Sequence, residues 1–188
     1  MNNKHEILES IWSEFDLSLT QVNHPFHIFS ISTIQDNKPD SRYVVLRNVD
    51  KKNYTISFNS DKRASKIMQI KNNKNVCALF YDIKKKVQIR IYGNVKIEND
   101  IDIIKNTWDQ LQKMSKLCYL NIYAPGIKLK NSKDYLPKDF DGKGELGLTN
   151  FSILRIKINL IDWLNLNHRG HERFIYDVIQ NKINWVAP

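Results

Sequence analysis

The 188-residue chain contains only two cysteines and no long apolar run. Two cysteines are too few for the disulfide framework of a small secreted domain, and we expect both to be reduced. No uninterrupted apolar stretch approaches the roughly 20 residues that a membrane-spanning helix needs, and the N-terminus lacks the apolar core of a signal peptide. The sequence therefore predicts a cytoplasmic protein with no membrane partner.

The chain also lacks the motifs of several common ligand sites. It contains no glycine-rich Walker or dinucleotide-binding fingerprint, which argues against a nucleoside triphosphate or a Rossmann-bound cofactor. Its histidines and acidic residues show no metal-ligand spacing such as His-Glu-x-x-His. We therefore expect no structural or catalytic metal.

Positive charge is abundant, with a formal net charge of +9 at pH 7. Such a balance can indicate nucleic acid or an anionic membrane as a partner. Here the lysines are scattered, and the joint abundance of asparagine, lysine and isoleucine is also what an A+T-rich coding sequence produces. The one compact run, Lys84-Lys85-Lys86, falls between two strand-like segments and is typical of a solvated hairpin turn. We therefore expect no nucleic-acid partner.

Hydrophobic periodicity predicts a mainly β chain with accessory helices. An opening helix is expected within residues 1–20, with its clearest apolar face from Lys4 to Leu17. Further helices are expected at Arg63–Lys71 and Asp100–Met114, and a long surface loop over residues 128–148. Strands are expected at Phe26–Ile34, Arg42–Val49, Tyr54–Phe58, Asn75–Tyr81, Val87–Glu98, Phe151–Leu164 and Arg173–Ile179. Antiparallel strands without strand-helix-strand alternation favour a single domain, residues 1–188, built as a small closed β-barrel.

Arginine is scarce beside lysine, and six of the seven arginines lie in four short segments. Arginine is the residue used where a planar, multidentate donor is needed. One of these segments runs from Trp163 to Tyr176. If it is extended, Arg169, His171 and Arg173 project from one face and would converge on one ligand. The alternative is a solvated polar loop.

A second segment, from Phe58 to Lys66, leads from a predicted strand into a predicted helix. The first amides of a helix have no internal partners, and the helix dipole places partial positive charge there. The lysines, arginine and serine of this segment add donors around the same point, so that it can hold a phosphate. The alternative is that an acidic or serine side chain only caps the helix while the cations are solvated.

The other two segments are strand-like and carry polar residues on one face. Between Arg42 and Arg47, alternation places the two arginines on opposite faces, so that the strand can pass along a flat ligand. In the segment that begins at Gln88, Gln88 and Arg90 share one face. The alternative for both segments is an exposed polar face, which is common in antiparallel sheets.

In this order, the four segments resemble the motifs of the pyridoxamine 5'-phosphate oxidase family over about residues 26–188. The C-terminal motif is the most specific, because the spacing from Trp163 through Arg169, His171 and Arg173 fits the family pattern without a gap. The resemblance implies a split β-barrel that forms a homodimer and binds FMN in two equivalent clefts at the subunit interface.

The resemblance also implies roles for individual residues. Arg47 would reach the phosphate of a small-molecule substrate, while Arg169 and His171 would act in catalysis by holding the substrate's pyridine ring against the flavin. The implied reaction passes a hydride from the substrate to the flavin, which dioxygen then reoxidises. The implied FMN contacts are Arg42, Tyr43, Val44, Val45, Asn59, Ser60, Ser65, Lys66, Gln88, Trp163 and Arg173.

The chain departs from the family pattern in two places. Family members usually have Ser-Arg-Lys at the phosphate helix, whereas this chain has Ala64-Ser65-Lys66, and we suggest that Arg63 supplies the missing guanidinium. The family's substrate-phosphate motif, a tyrosine, an arginine and a serine four residues apart, has no clean match, although Lys116 would take the arginine's place.

The sequence is therefore interpreted as an FMN-dependent oxidoreductase that oxidises pyridoxamine or pyridoxine 5'-phosphate to pyridoxal 5'-phosphate with dioxygen. Two alternatives stay open. The first is an FMN-binding split-barrel flavoprotein with a different substrate, and the second is a basic binding module without redox chemistry.

Overall fold

The structure, a computed structural model, describes residues 3–132, 134 and 145–188. Most of the surface loop expected at 128–148 falls outside these residues, and its last four residues, 145–148, begin a helix instead. In chain order the elements are α1 (Lys4–Thr20), β1 (Ile28–Gln35), β2 (Lys38–Asp50), β3 (Thr55–Asp61), α2 (Ser65–Asn72), β4 (Asn75–Asp82), β5 (Val87–Ile97), α3 (Ile101–Gln110), α4 (Lys113–Leu117), α5 (Glu145–Asn150), β6 (Phe151–Asn165), β7 (Glu172–Asp177) and β8 (Lys182–Trp185).

Six antiparallel strands close into a barrel. The sheet order is β3-β2-β1-β4-β5-β6-β7-β8, and β3 pairs again with β6, so that β1 to β6 form a ring. Strands β7 and β8 extend this sheet from β6. The mainly β, antiparallel barrel with accessory helices that the sequence predicts is therefore confirmed.

Helix α1 forms because its apolar residues recur on one face and its start is capped. The side chain of Asn3 accepts a hydrogen bond from the amide of His5, which satisfies one free donor of the first turn. On the apolar face, Trp12 and Phe15 are almost fully buried against the barrel core, where Phe15 contacts the ring of Phe80. Burial of each large side chain contributes about 1.5–3 kcal/mol.

Local backbone requirements fix one turn and one strand irregularity of the barrel. Asp36 and Asn37 join β1 to β2 with positive φ angles of 49° and 61°, which suit a two-residue hairpin whose twist matches the strands. In β5, a side chain at Gly93 would place its Cβ only 2.2 Å from the carbonyl oxygen of Lys157. Glycine is therefore required at the irregularity where β5 crosses β6.

The region after β5 differs from the expected single helix. Asp100 caps α3 by accepting from the amides of Asp102 and Ile103, but the helix ends at Gln110 because Leu111 is extended, and α4 follows separately. Trp108 of α3 packs against Phe151 in a second, smaller core. None of the helices in the described ranges is long and apolar enough to cross a membrane.

Strand β8 was not expected from the sequence. It is four residues long and mostly exposed, so that its alternation is weak. It forms because it pairs with β7 and places the ring of Trp185 edge-on against Phe174, at 5.9 Å between centroids.

Candidate functional site

The residues expected to bind the cofactor lie in two groups. The helix-side group surrounds β2, β3 and the start of α2, and the C-terminal group lies on β5, β6 and β7. Two strands separate β2 from β5 in either direction around the ring, and among the described residues no hydrogen bond or ion pair joins the groups. The helix-side group is Arg42, Tyr43, Val44, Val45, Asn59, Ser60, Arg63, Ser65 and Lys66; the C-terminal group is Gln88, Trp163 and Arg173.

Lys66 is a half-buried cation in the first turn of α2. Its Nζ donates to Oγ of Ser60 at 3.1 Å, and no carboxylate among the described residues forms an ion pair with it. Burial lowers the pKa of Lys66, and the positive charge of Arg42 lowers it further. Ala64, the N-cap residue of α2, offers no side-chain cap to the first amides. An anion would therefore find both a cation without a counterion and uncapped amides at this point.

Arg42 points toward the same end of α2 and is held by the chain's own polar groups. On β2, Arg42, Val44 and Leu46 face inward while Tyr43 and Arg47 are exposed, which confirms the predicted alternation.

The guanidinium of Arg42 donates to Asp40, to Oγ1 of Thr33 and, at 3.0 Å, to Oε1 of Gln69. Gln69 is buried on α2 one turn after Lys66, and its amide nitrogen donates to Oδ2 of Asp40 at 2.8 Å. Sequence reasoning missed Thr33, Asp40 and Gln69, although Gln69 lies three residues after Lys66 on the same helix face.

Arg63 is largely occupied by neighbours. Its Nε and NH2 groups donate to the two carboxylate oxygens of Asp61 at 3.0 and 2.7 Å, and this pairing raises the pKa of Arg63. It also donates to the carbonyl oxygens of Asn121 and Ile122, so that four of its five N–H groups are in use. The suggested phosphate contact of Arg63 stays a prediction.

Asn59 on β3 leaves a polar atom without a partner. Its side-chain oxygen Oδ1 is buried and accepts no hydrogen bond from the described residues. Leaving a buried acceptor unpaired costs about 1–3 kcal/mol, and a ligand that carries hydroxyl or N–H groups would remove that cost. Asn59 is the residue before Ser60 on β3, and Ser60 is the residue whose Oγ accepts from Lys66.

In the C-terminal group, Arg173 is fixed by an acidic residue that sequence reasoning missed. Asp162 of β6, only 3% exposed, accepts from Nε and NH2 of Arg173 at 3.0 and 2.8 Å. It also accepts from NH2 of Arg90 at 2.5 Å. Trp163 is buried and stacks on Phe174, with ring centroids 5.3 Å apart, so that its place in this structure is in the core.

The expected common face of Arg169, His171 and Arg173 is wrong. Only Arg173 belongs to a strand, because residues 166–171 form a turn between β6 and β7. Gly170 has a φ of +128° in this turn, and the side chain of Asn167 accepts from the amide of Arg169 at 2.9 Å. Arg169 and His171 are both exposed at the tip of the turn, open to a ligand from outside.

Arg47 and Lys116, the two residues expected to contact a substrate phosphate, have different neighbours in the structure. Arg47 is exposed on β2 and lies near Tyr119, whose pKa burial raises to about 12 while the charge of Arg47 opposes the rise. Lys116 places its Nζ 5.5 Å from the ring centre of Trp108 and donates to the carbonyl of Asp109. The structure thus brings Tyr119, which sequence reasoning missed, toward Arg47 and directs Lys116 toward α3.

Two cavities flank α2, and neither contains both groups. The first has a volume of about 830 Å³ and lies between α2, β5 and α3, without any of the expected cofactor residues in its lining. The second, of about 550 Å³, is lined by Ser65 and Gln69 together with the β1–β2 turn. A ligand that contacts both groups is therefore not enclosed by either cavity.

Comparison with known proteins identifies the family. The model of the FMN-binding domain of pyridoxamine 5'-phosphate oxidase matches residues 9–99. A pyridoxine/pyridoxamine 5'-phosphate oxidase of Leptospira interrogans is 35% identical over 154 residues, which cover 76% of this chain and 68% of that protein.

Solved structures show the same fold. A pyridoxamine 5'-phosphate oxidase-related, FMN-binding protein of Nostoc punctiforme has a TM-score of 0.75 at 18% identity, with 100% of both chains covered. PhzG of Burkholderia lata, in complex with tetrahydrophenazine-1-carboxylic acid, has a TM-score of 0.73 at 14% identity, covering 100% of this chain and 94% of that one.

The residues of the helix-side group suit the cofactor of that family. Lys66 and Arg42 offer positive charge to a phosphate beside the uncapped start of α2, and the unpaired oxygen of Asn59 suits a hydroxyl or N–H group. This chain therefore belongs to the pyridoxamine 5'-phosphate oxidase family, and FMN is the cofactor of its barrel domain.

Proposed function

We propose that the protein is an FMN-dependent oxidase that converts pyridoxamine or pyridoxine 5'-phosphate to pyridoxal 5'-phosphate, with dioxygen as the electron acceptor. Bound FMN supplies the hydride-accepting chemistry, and the protein supplies binding, orientation and electrostatics. The observation that carries the proposal is the exposed pair Arg169 and His171, which lies on the turn that leads directly to Arg173. A second set of donors is thereby left free for a substrate beside the cofactor.

The helix-side group holds the phosphate end of FMN in this proposal. Lys66 and Arg42 provide charge, and the backbone amides of the first turn of α2 provide directed donors. The contacts of Arg42 with Thr33 and Gln69 keep its guanidinium in one orientation before the ligand arrives. Such preorganisation lowers the entropy cost of binding.

The turn before β7 holds the substrate. Arg169 presents a planar set of N–H donors, and His171 adds a ring that can donate or accept a hydrogen bond. Both side chains are exposed, and the part of the chain that the structure describes offers them no hydrogen-bond or ion-pair partner, so they can close on a ring stacked against the flavin. Orientation of the reacting carbon against the flavin is the main contribution expected of them. Arg47, beside Tyr119, is proposed to receive the substrate phosphate.

We also propose that the protein acts as a C2 homodimer in which each site takes residues from both chains. No hydrogen bond or ion pair joins the two groups within the described part of one barrel, whereas two barrels packed face to face would bring the helix-side group of one to the C-terminal group of the other. The outward face of β1, β2, β4 and β5 carries exposed apolar side chains suited to such contact. These are Ile28, Tyr43, Leu79, Tyr81 and Tyr92, which are 38–79% exposed.

A second candidate is a flavoprotein of the same fold with another substrate. The observation that favours it is the contact of Lys116 with Trp108, which occupies the side chain that would take the place of the family's phosphate-binding arginine. The structural relative PhzG was solved with tetrahydrophenazine-1-carboxylic acid rather than a vitamin B6 compound. A basic binding module without redox chemistry gains no support, since the family binds FMN.

An oxidase assay separates these candidates. FMN-loaded protein is mixed with pyridoxamine 5'-phosphate or pyridoxine 5'-phosphate, and both pyridoxal 5'-phosphate and hydrogen peroxide are followed. Equal amounts of the two products support the proposal. If the protein retains FMN but neither compound bleaches the flavin absorbance without oxygen, the substrate assignment is wrong and the second candidate replaces it.

A further inference from the structure

Asp162 is a buried acid between two arginines on the outward face of the sheet. Arg90 on β5 lies directly opposite Asp162 on β6, and Arg173 reaches it from β7. Arg173 binds both carboxylate oxygens, at 3.0 and 2.8 Å, whereas Arg90 binds one of them at 2.5 Å. We call these three residues the arginine–aspartate triad.

The triad carries a net positive charge. Two guanidiniums share one carboxylate, and burial raises the pKa values of the neighbouring Cys77 and Tyr92, so that both stay neutral at pH 7. Nε of Arg90 is also buried and has no acceptor among the described residues. The triad therefore combines a net positive charge with the partly exposed guanidinium of Arg173, which suits an electron-rich ligand.

Asp162 restricts two flexible side chains. The Arg173 side chain is 25% exposed and that of Asp162 only 3%, so the bidentate contact holds the guanidinium from its buried side and leaves the other edge open. Without Asp162, the two arginines would lose their shared counterion and repel each other. Both arginine side chains are partly exposed, at 30% and 25%, and would then be able to leave the positions in which Asp162 holds them.

We infer that Asp162 is a positioning residue for FMN, which acts by holding the open edge of the Arg173 guanidinium against the cofactor. The inference rests on the proposed role of Arg173 at the flavin. It adds a residue that neither the family motif nor the sequence spacing indicates, because its partners lie 72 and 11 positions away.

A double-mutant cycle tests this inference. FMN dissociation constants are measured by quenching of flavin fluorescence for the wild type, Asp162→Asn, Arg173→Ala and the double variant. We expect each single variant to bind FMN about 10 times more weakly, and the double variant to bind no more weakly than Arg173→Ala alone. Asp162→Glu, which keeps the charge, should recover part of the affinity.

Glu98→Gln is the matched control. Glu98 pairs with Arg155 at 2.8 Å in a half-buried ion pair away from the triad, so its loss should leave the FMN affinity unchanged. Melting temperatures of all apoproteins show whether each variant folds, and only folded variants enter the cycle. If Asp162→Asn does not fold, Asp162→Glu takes its place in the cycle. The expected loss of FMN affinity is then smaller, and Asp162→Glu should cause no further loss when Arg173 is already alanine.

The possible results distinguish a failure of the role inferred for Asp162 from a failure of the proposed function. Unchanged FMN affinity in Asp162→Asn, or losses that add in the double variant, would overturn the positioning role of Asp162. Unchanged affinity in Arg173→Ala would remove Arg173 from the flavin, and the inference with it. A wild-type protein that binds no FMN would instead overturn the proposed function.

Discussion

Lys66 on α2 faces Ser60 on β3, and the two side chains are joined by a hydrogen bond of 3.1 Å from Nζ to Oγ. The strand–helix turn between them thus folds back on itself and partly buries an ammonium that donates to a hydroxyl. A hydroxyl does not neutralise the charge, and burial lowers the pKa of Lys66. A phosphate group would restore the solvation that Lys66 has lost, which makes this contact the natural starting point for tests of FMN binding.

Replacement of Lys66 by alanine should weaken FMN binding about 10- to 100-fold, since a charge-assisted hydrogen bond contributes about 1.5–3 kcal/mol. Titration of the folded apoprotein with FMN measures the change. Arg63→Ala is the comparison, and a smaller loss is expected there because Asp61 and two carbonyl groups already occupy most of its donors. Equal affinity for the wild type and Lys66→Ala would exclude Lys66 from the site.

As the pH rises, the affinity for FMN should begin to fall at a lower pH than it would with a lysine of ordinary pKa. The lowered pKa of Lys66 means that its positive charge is lost at a lower pH than usual, and the attraction for phosphate is lost with it. Bound phosphate raises the pKa again, so that binding takes up a proton in this range. Titrations across the alkaline range should show this fall in the wild type but not in Lys66→Arg, because a guanidinium stays charged. Identical pH profiles would show that the fall has another origin.

A negative charge on the outward apolar face should separate the subunits. Leu79→Glu places a carboxylate on the face proposed to form the dimer, where the side chain is 38% exposed. We expect a folded monomer in light scattering at micromolar concentration, with FMN binding largely lost. Val22→Glu, at a position that is 73% exposed before β1, is the control and should remain a dimer. A monomeric wild type that binds one FMN per chain would contradict the shared site.

Arg169→Ala should separate substrate binding from cofactor binding. Arg169 is exposed on the turn before β7 and its side chain has no recorded partner in the described residues, so that FMN should stay bound. We expect kcat/KM for pyridoxamine 5'-phosphate to fall about 10- to 1,000-fold, as when an oriented donor is lost from a transition state. His168→Ala, at the neighbouring exposed position, should keep its activity. Release of FMN from Arg169→Ala would place Arg169 in the cofactor site.

Replacement of Gln69 should destabilise the protein more than a substitution on the surface does. Gln69→Leu removes an acceptor of Arg42 and a donor to Asp40, and it deprives the buried hydroxyl of Thr33 of its acceptor on α2. A loss of about 1–3 kcal/mol in unfolding free energy is expected, measured by urea denaturation. Asn72→Leu, at the exposed end of the same helix, is the matched control.

The sequence by itself determined most of the elements and the cofactor class. The apolar periodicity of α1 and the alternation between Arg42 and Arg47 depend only on the repeat of a helix or a strand, so both could be predicted. The four arginine segments were recognisable because their spacing is local. The single helix expected after Asp100 was wrong because the extended backbone of Leu111 is not visible in apolar periodicity.

The tertiary structure alone decided how distant side chains meet. Asp162 lies 72 positions from Arg90, and their contact depends on the register of β5 against β6, which no local pattern specifies. The positive φ of Gly170 turns Arg169 away from the strand face that simple alternation would give it. The separation of β2 from β5 follows from the strand order, which places two strands between them in either direction around the ring. Strand pairing across the barrel depends on long-range packing and hydrogen bonding. It therefore positions the site residues in a way that local sequence spacing does not specify.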